Sequence, residues 1–142
     1  MILLDVNILI YAVNQDAPLH SRAKAWLEAT ISGAETVAMS WNVLLAFLRL
    51  TTRPGLFGNP IPLDAAFDLI DSWLEQPSVS ILDPGPRHRT ILRQLLSPLG
   101  TAGNLTSDAH LAALAVEHQA ELCSSDHDFS RFPGLKWRDP LA

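Results

Sequence analysis

Four aspartates stand directly after short apolar segments or in the first turn of a helical pattern: they are Asp5, Asp108, Asp126 and Asp128. Taken singly, such residues cap helices, interact with helix dipoles or form tight turns. Taken together they point to chemistry, because like charges that converge repel one another unless a cation binds between them. We therefore identify all four as candidate catalytic residues, with Asp5, Asp108 and Asp126 as candidate metal ligands.

The type of ligand indicates which metal would bind and what it would do. Oxygen donors alone favour Mg²⁺ or Mn²⁺, whereas zinc sites use histidine or cysteine at regular spacing, which this chain lacks. Such an ion activates water and stabilises the charge that develops during phosphoryl transfer, so a phosphodiester is the expected substrate. The chain has no glycine-rich phosphate loop and no serine nucleophile motif. A phosphatase with Asp5 as nucleophile is a weaker alternative, because Asn7 stands where such an enzyme has its second acid.

The predicted secondary structure brings these acids to one edge of a sheet. Apolar runs predict strands over residues 2–4, 36–39, 79–82 and 121–123, with a last extended piece around 135–137. Apolar residues at helical spacing predict helices over residues 6–13, 18–32, 41–52, 63–74, 87–96 and 105–118, with a short helical turn near Phe129. The residues placed to cap these helices are Asp5, Ser40 and either Asn104 or Thr106.

Strands that alternate with helices predict an α/β fold with a parallel sheet covered on both faces. In such a sheet the active site lies beyond the carboxyl ends of the strands. At 142 residues and 48% hydrophobic content, the chain has the size and the apolar material of one domain, residues 1–142. It contains no apolar run of membrane-spanning length, and its apolar opening has no basic leader, so we expect a cytoplasmic protein. We interpret the lone cysteine, Cys123, as a buried and unreactive strand residue.

The charge distribution matters more than the formal net charge of -5. Two stretches contain no acidic residue and are locally basic: residues 36–63 hold Arg49 and Arg53, and residues 84–107 hold Arg87, Arg89 and Arg93. Arginines like these are ordinarily solvated parts of helix surfaces, and contact with phosphate is the functional alternative. The loop from Pro54 to Pro62 carries Leu56 and Phe57, which we predict to serve an interface.

Four blocks of the sequence, in order and spacing, resemble those of VapC-type PIN-domain toxins: they are ILLDVNILIYA, WNVLLAFLRLTT, TSDAHLAALAVEH and CSSDHDFSRFPGLKWRDPL. The resemblance covers nearly the whole chain. It implies a PIN-like three-layer fold with a central parallel sheet of four or five short strands. It also implies an Mg²⁺- or Mn²⁺-dependent endoribonuclease that cleaves RNA, forms a homodimer and is neutralised by a cognate VapB-type antitoxin.

The family's acids fall on Asp5, Asp108, Asp126 and Asp128, and further positions that would line the site or contact substrate are Asn7, Asn42, Arg49 and Thr106. One departure stands out, because the family usually has a glutamate three residues before Arg49, where this chain has Ala46. No shift of register supplies that acid, since residues 36–63 contain none. We expect one metal ion to bind still and a second to bind more weakly. The alternative is a non-catalytic module that only sequesters RNA or the antitoxin.

Overall fold

In the computed structural model, which describes residues 1–55 and 58–142, five strands alternate with six α-helices. The strands are β1 (Ile2–Leu4), β2 (Val37–Met39), β3 (Val79–Ile81), β4 (Glu121–Cys123) and β5 (Trp137–Arg138). The helices are α1 (Val6–Val13), α2 (His20–Ile31), α3 (Trp41–Thr52), α4 (Leu63–Leu74), α5 (His88–Leu96) and α6 (Thr106–Glu117). Short 3₁₀ turns occupy Ser97–Leu99, Gly103–Leu105 and His127–Arg131.

All neighbouring strands are parallel, and their order across the sheet is β3-β2-β1-β4-β5. The chain builds from β1 toward one edge and then returns to place β4 on the other side of β1. The register between these two strands pairs Leu4 with Cys123. In parallel sheets, ligands bind beyond the carboxyl ends of the strands where the building direction switches. Here the residues that follow the two strands at that point are Asp5 and Ser124.

Every residue of β1 and β2 is buried. Since successive side chains of a strand point to opposite faces, both faces of the sheet must be covered by helices. The predicted three-layer α/β fold is therefore confirmed. Helix α6 is buried over most of its length, and its many alanines let it pack closely against its neighbours. Helices α3 and α4 meet through Phe47 and Trp73, whose ring centroids lie 5.1 Å apart in an edge-to-face arrangement.

Cys123 is buried, as predicted, and burial raises the pKa of its thiol to about 11, so the group stays protonated and unreactive. Among the helices in the described part of the chain, none is both long enough and apolar enough to cross a bilayer. Leu56 and Phe57, which we predicted to serve an interface, lie outside the described residues.

Two details of the helix starts differ from the prediction. Neither Asn104 nor Thr106 caps α6, because the helix continues from a 3₁₀ turn and the Thr106 hydroxyl donates a hydrogen bond to the carbonyl of Gly103 instead. Ser40 does precede α3, but its hydroxyl donates to the side-chain oxygen of Asn42 rather than capping the helix. In both places a local side-chain bond competes with the helix cap.

Candidate functional site

Asp5 lies at the end of β1 and caps the start of α1, where its Oδ1 accepts a hydrogen bond of 2.7 Å from the amide of Val6. Its side chain is buried, with 8% of the residue exposed. Burial raises the pKa of Asp5, the negative charge of Asp126 raises it further, and hydrogen bonds from Ser124 and Val6 oppose that rise. Asp5 thus has the capping role that any aspartate there could have. Its second oxygen is used differently.

That second oxygen, Oδ2, belongs to a hydrogen-bond network between the ends of β1 and β4. The hydroxyl of Ser124 donates to it at 2.7 Å, and the amide of Asn7 donates to it at 3.2 Å. Asn7 also donates to the Ser124 hydroxyl at 3.0 Å and accepts from the amide of Ser125 at 3.3 Å. The network fixes the Asp5 carboxylate and ties it to the loop that carries Asp126.

Asp108 lies in the first turn of α6, half-buried. Its pKa is raised to about 6, first by burial and then by the negative charges of Asp5, Asp126 and Asp128. The first turn of a helix ordinarily stabilises a carboxylate, so this upward shift opposes the expected effect of the helix dipole. The shift indicates that the four predicted acids share one electrostatic environment.

Asp126 directly precedes the 3₁₀ turn that follows β4, and Asp128 lies in that turn. The Asp126 side chain caps this turn by accepting from the amide of Asp128 at 2.9 Å. Asp128 is more exposed, and one of its oxygens lies 3.6 Å from the guanidinium of Arg131. Asp126 and Asp128 therefore form a tight turn, which is the ordinary structural role of aspartates in such a position. Asp126 has a second effect as well, since its charge raises the pKa of both Asp5 and Asp108.

A cavity of about 210 Å³ opens beside Asp5 and Asp108. Helix α3 forms one wall of it with Asn42, Ala46 and Arg49, which follow one another at helical spacing. Ala46 therefore faces the same cavity as Asp5 and Asp108. At this position, where the resemblance leads us to expect a glutamate, the chain contributes only a methyl group. Arg49 is exposed and forms no ion pair within the described ranges 1–55 and 58–142.

Among the described residues, the cavity offers a divalent ion carboxylate oxygens but no closed set of protein ligands. Within residues 1–55 and 58–142, no three histidine, cysteine, aspartate or glutamate side chains come close enough to surround a metal. The donors available are carboxylate oxygens, and their charges are dense enough to raise the pKa of Asp108. Mg²⁺ commonly binds one or two carboxylates and keeps several of its waters. The chemistry of the donors therefore suits such an ion without a closed cage of protein ligands.

Two serines at this site, Ser124 and Ser107, were not predicted from the sequence. Ser124 is completely buried and donates a hydrogen bond to Asp5, and Ser107 lines the cavity beside Asp108, whereas the predicted Thr106 is not among the residues that line it. Ser124 could have been identified from the pairing of β1 with β4, because it is the first polar residue after an apolar strand, as Asp5 is. No such signal exists for Ser107.

The chain is similar to known proteins both in its amino-acid sequence and in its fold. The PIN-domain family profile matches residues 2–135. The protein named ribonuclease VapC37 of Mycobacterium tuberculosis is 46% identical over 142 residues, which cover 100% of this chain and 99% of that protein. Ribonuclease VapC33 of the same species is 45% identical over 141 residues, with 99% of each chain covered.

Solved structures of toxin-antitoxin complexes have the same fold. The VapBC2 structure of Rickettsia felis, bound to a promoter DNA fragment, aligns with a TM-score of 0.71 at 23% identity, covering 97% of this chain and 98% of the other. The VapBC-1 structure of nontypeable Haemophilus influenzae aligns with a TM-score of 0.70 at 22% identity, with both chains fully covered (100%). At this level of identity the likeness concerns the fold.

Proposed function

The chain belongs to the VapC-type PIN-domain family, and from that premise we propose that it is an endoribonuclease toxin whose single PIN domain spans residues 1–142. The observation that carries the proposal is the electrostatic convergence of four aspartates from three separate segments. Burial first, and then the negative charges of Asp5, Asp126 and Asp128, raise the pKa of Asp108 to about 6, and a bound cation would relieve this unfavourable arrangement.

We assign Asp5, Asp108 and Asp126 as the candidate ligands of Mg²⁺ or Mn²⁺, with Asp128 assisting them; one or two of these carboxylates would bind the ion directly and the others through its waters. When bound, such an ion supplies a nucleophilic water and neutralises charge on the phosphodiester. The protein's own part is to hold the carboxylates in place: Ser124 and Asn7 orient Asp5, and Asp126 is held by the turn that it caps. The missing glutamate at Ala46 leaves fewer charges for a second ion.

Substrate would enter over the wall formed by α3. Arg49 lines the cavity beside the acids and has no acidic partner in the described residues, so its guanidinium is available to a phosphate oxygen. Asn42 lines the same wall and offers an amide for hydrogen bonding to substrate. Thr106 stays a candidate for substrate contact from the exposed start of α6.

We further propose two protein partners. The solved relatives named above are complexes of toxin and antitoxin, which supports a VapB-type antitoxin for this chain. A second copy of the chain is supported by exposed apolar pairs on two packed helices: Trp41 and Leu45 on α3, and Leu63 and Phe67 on α4, between 43% and 58% exposed. Each pair has i,i+4 spacing and so lies on one side of its helix.

A non-catalytic module that binds RNA or antitoxin is the second candidate, and Ala46 is the observation in its favour. Against it stand the hydrogen bonds from Ser124 and Asn7 to the second oxygen of Asp5, because capping α1 uses only the first oxygen and does not explain them. The two candidates differ in whether RNA is cut.

Asp5→Asn separates them, since it keeps the shape of the side chain and removes its charge. Induced expression of the unsubstituted chain should arrest growth and produce new RNA ends when total RNA is mapped after brief induction. Asp5→Asn should abolish both effects and retain a cooperative thermal transition. Asp68→Asn is the matched control, because Asp68 is exposed on α4 and should leave toxicity unchanged. Equal toxicity of the unsubstituted chain and the Asp5→Asn variant would refute the nuclease.

A further inference from the structure

A second surface feature lies outside the acidic site, along α5 and the 3₁₀ turn that follows. An open groove of about 520 Å³ runs there, and it is lined by Arg89, Leu92, Arg93, Leu96, Ser97 and Thr101. Gly100 closes the turn with a left-handed φ of 71°, which returns the chain beside the groove. The volume is large enough to hold a small ligand or one unit of a polymer.

The charge of this groove is uncompensated. Arg89 and Arg93 are exposed, and neither takes part in an ion pair among the described residues. No acidic residue lines the groove, and none occurs anywhere in residues 84–107. Although the formal net charge of the chain is -5, the unpaired Arg89 and Arg93 make this part of the surface positively charged, so it attracts an anion.

The groove also has an apolar component at matching spacing. Arg89 and Arg93 are four residues apart, as are Leu92 and Leu96, so on α5 the two types form adjacent rows. Hydroxyls of Ser97 and Thr101 lie at the end of these rows. A row of guanidinium groups beside a row of apolar side chains and hydroxyls matches a nucleotide, which presents phosphate, base and ribose hydroxyls together. A peptide of acidic residues alone would use the arginines and leave the leucines without a matching surface.

The position along the chain connects the groove with the acids. Helix α5 packs against α6, which carries Asp108 in its first turn. Thr101 precedes Asp108 by seven residues, which span at most about 25 Å even when fully extended. The 3₁₀ turn Gly103–Leu105 shortens that path further. A single strand held at the Thr101 end of the groove would therefore have at most about 25 Å to span to Asp108.

We infer that this groove, defined by Arg89, Leu92, Arg93 and Leu96, is a subsite for single-stranded RNA flanking the cleaved bond. The inference rests on the proposed ribonuclease function and adds where the strand is held. Arg89 and Arg93 contact its phosphates, and the leucines contact a base or ribose. The subsite contributes affinity for the strand and takes no part in the hydrolysis itself.

Binding can be tested apart from cleavage in the Asp5→Asn background, which leaves the RNA intact. The probe is a labelled single-stranded RNA of mixed sequence, about 20 nucleotides long, followed by fluorescence anisotropy over a range of salt concentrations. The double substitution Arg89→Gln and Arg93→Gln should weaken binding about tenfold at low salt. It should also lower the slope of log K against log salt by roughly 1.4, or about 0.7 for each lost phosphate contact.

The matched control removes two positive charges outside the groove, by Lys24→Gln together with Lys136→Gln. Both residues are exposed and neither lines the groove. This control should weaken binding less than threefold. A groove variant that binds RNA like the control would overturn the inference, as would one that loses affinity for a purified antitoxin while keeping its affinity for RNA.

Cleavage supplies the second readout, in the chain that retains Asp5. The groove variant should raise KM for RNA and leave kcat nearly unchanged, and photo-crosslinks from 4-thiouridine RNA should fall in residues 89–101. Cleavage by the unsubstituted chain with crosslinks confined to other segments would overturn the groove alone. Failure of the unsubstituted chain to cleave total RNA with Mn²⁺ present would overturn the nuclease, and the groove with it.

Discussion

Replacing Asp108 by asparagine should make the metal-free protein more stable. The pKa of Asp108 is raised from 3.8 to about 6, so at neutral pH the folded state holds a carboxylate that burial and three other aspartates disfavour. A shift of about two units corresponds to about 3 kcal/mol for a fully buried group. Because about half of Asp108 remains in contact with solvent, screening reduces this to about 1 to 1.5 kcal/mol. For a chain of this size, that raises Tm by about 3 to 5 °C.

The pH dependence of this gain has a definite sign. Since the folded pKa lies above the unfolded value, the folded state binds more protons between pH 3.8 and about 6, and the unsubstituted protein loses stability as pH rises through that window. Asp108→Asn lacks that loss. Its advantage should therefore be complete above pH 6 and nearly absent near pH 4.

Thermal unfolding followed by circular dichroism in EDTA measures this directly. Asp64→Asn is the control, because Asp64 also lies in the first turn of a helix, α4, but is exposed, so its loss should leave Tm unchanged or slightly lower. Millimolar Mn²⁺ should stabilise the unsubstituted protein more than Asp108→Asn and reduce or reverse the difference in Tm. A variant that is less stable than the unsubstituted protein in EDTA above pH 6 would refute the electrostatic argument.

Three further predictions concern neighbouring residues. Ala46→Glu should tighten Mn²⁺ binding about tenfold in calorimetry, since it adds a carboxylate to the cavity wall that faces the acids. The uncharged control Ala46→Gln should not tighten it, and equal Mn²⁺ affinities of the two variants would contradict this prediction. Ser124→Ala should lower the free energy of unfolding in urea by about 1 to 3 kcal/mol, because two donors lose a buried acceptor, and Ser125→Ala should have a smaller effect. Phe67→Glu should convert a dimer into a monomer in light scattering without weakening Mn²⁺ binding, and an unchanged mass would speak against the proposed interface.

Most of the elements could be predicted because their sequence signals are local and strong. The strands β1 and β4 are short apolar runs that end at polar residues, and α3 shows clear helical spacing that ends before Pro54 and Gly55. Placing the aspartates at one edge needed only the rule that parallel strands end together. The electrostatic coupling of Asp5, Asp108 and Asp126 is consistent with that expectation.

The remaining features depend on contacts between distant segments, which local patterns do not contain. Ser124 looks like any loop serine until β4 pairs with β1 and brings its hydroxyl to Asp5. Helix α6 has two good capping residues before it, yet the chain uses a 3₁₀ turn, since Thr106 bonds the carbonyl of Gly103. The groove on α5 likewise required the structure, because the sequence shows that Arg89 and Arg93 are locally uncompensated but not that they line one depression.

The bond between Ser124 and Asp5 joins residues separated by 119 positions. A growing polypeptide therefore carries its first aspartate from the earliest moments of synthesis, yet the group that orients it arrives only when the last strands have left the ribosome. The carboxylate of Asp5 therefore cannot reach its final hydrogen-bonded position until β4 has been synthesised and has paired with β1. The earlier segments of the polypeptide consequently emerge without an ordered acidic centre.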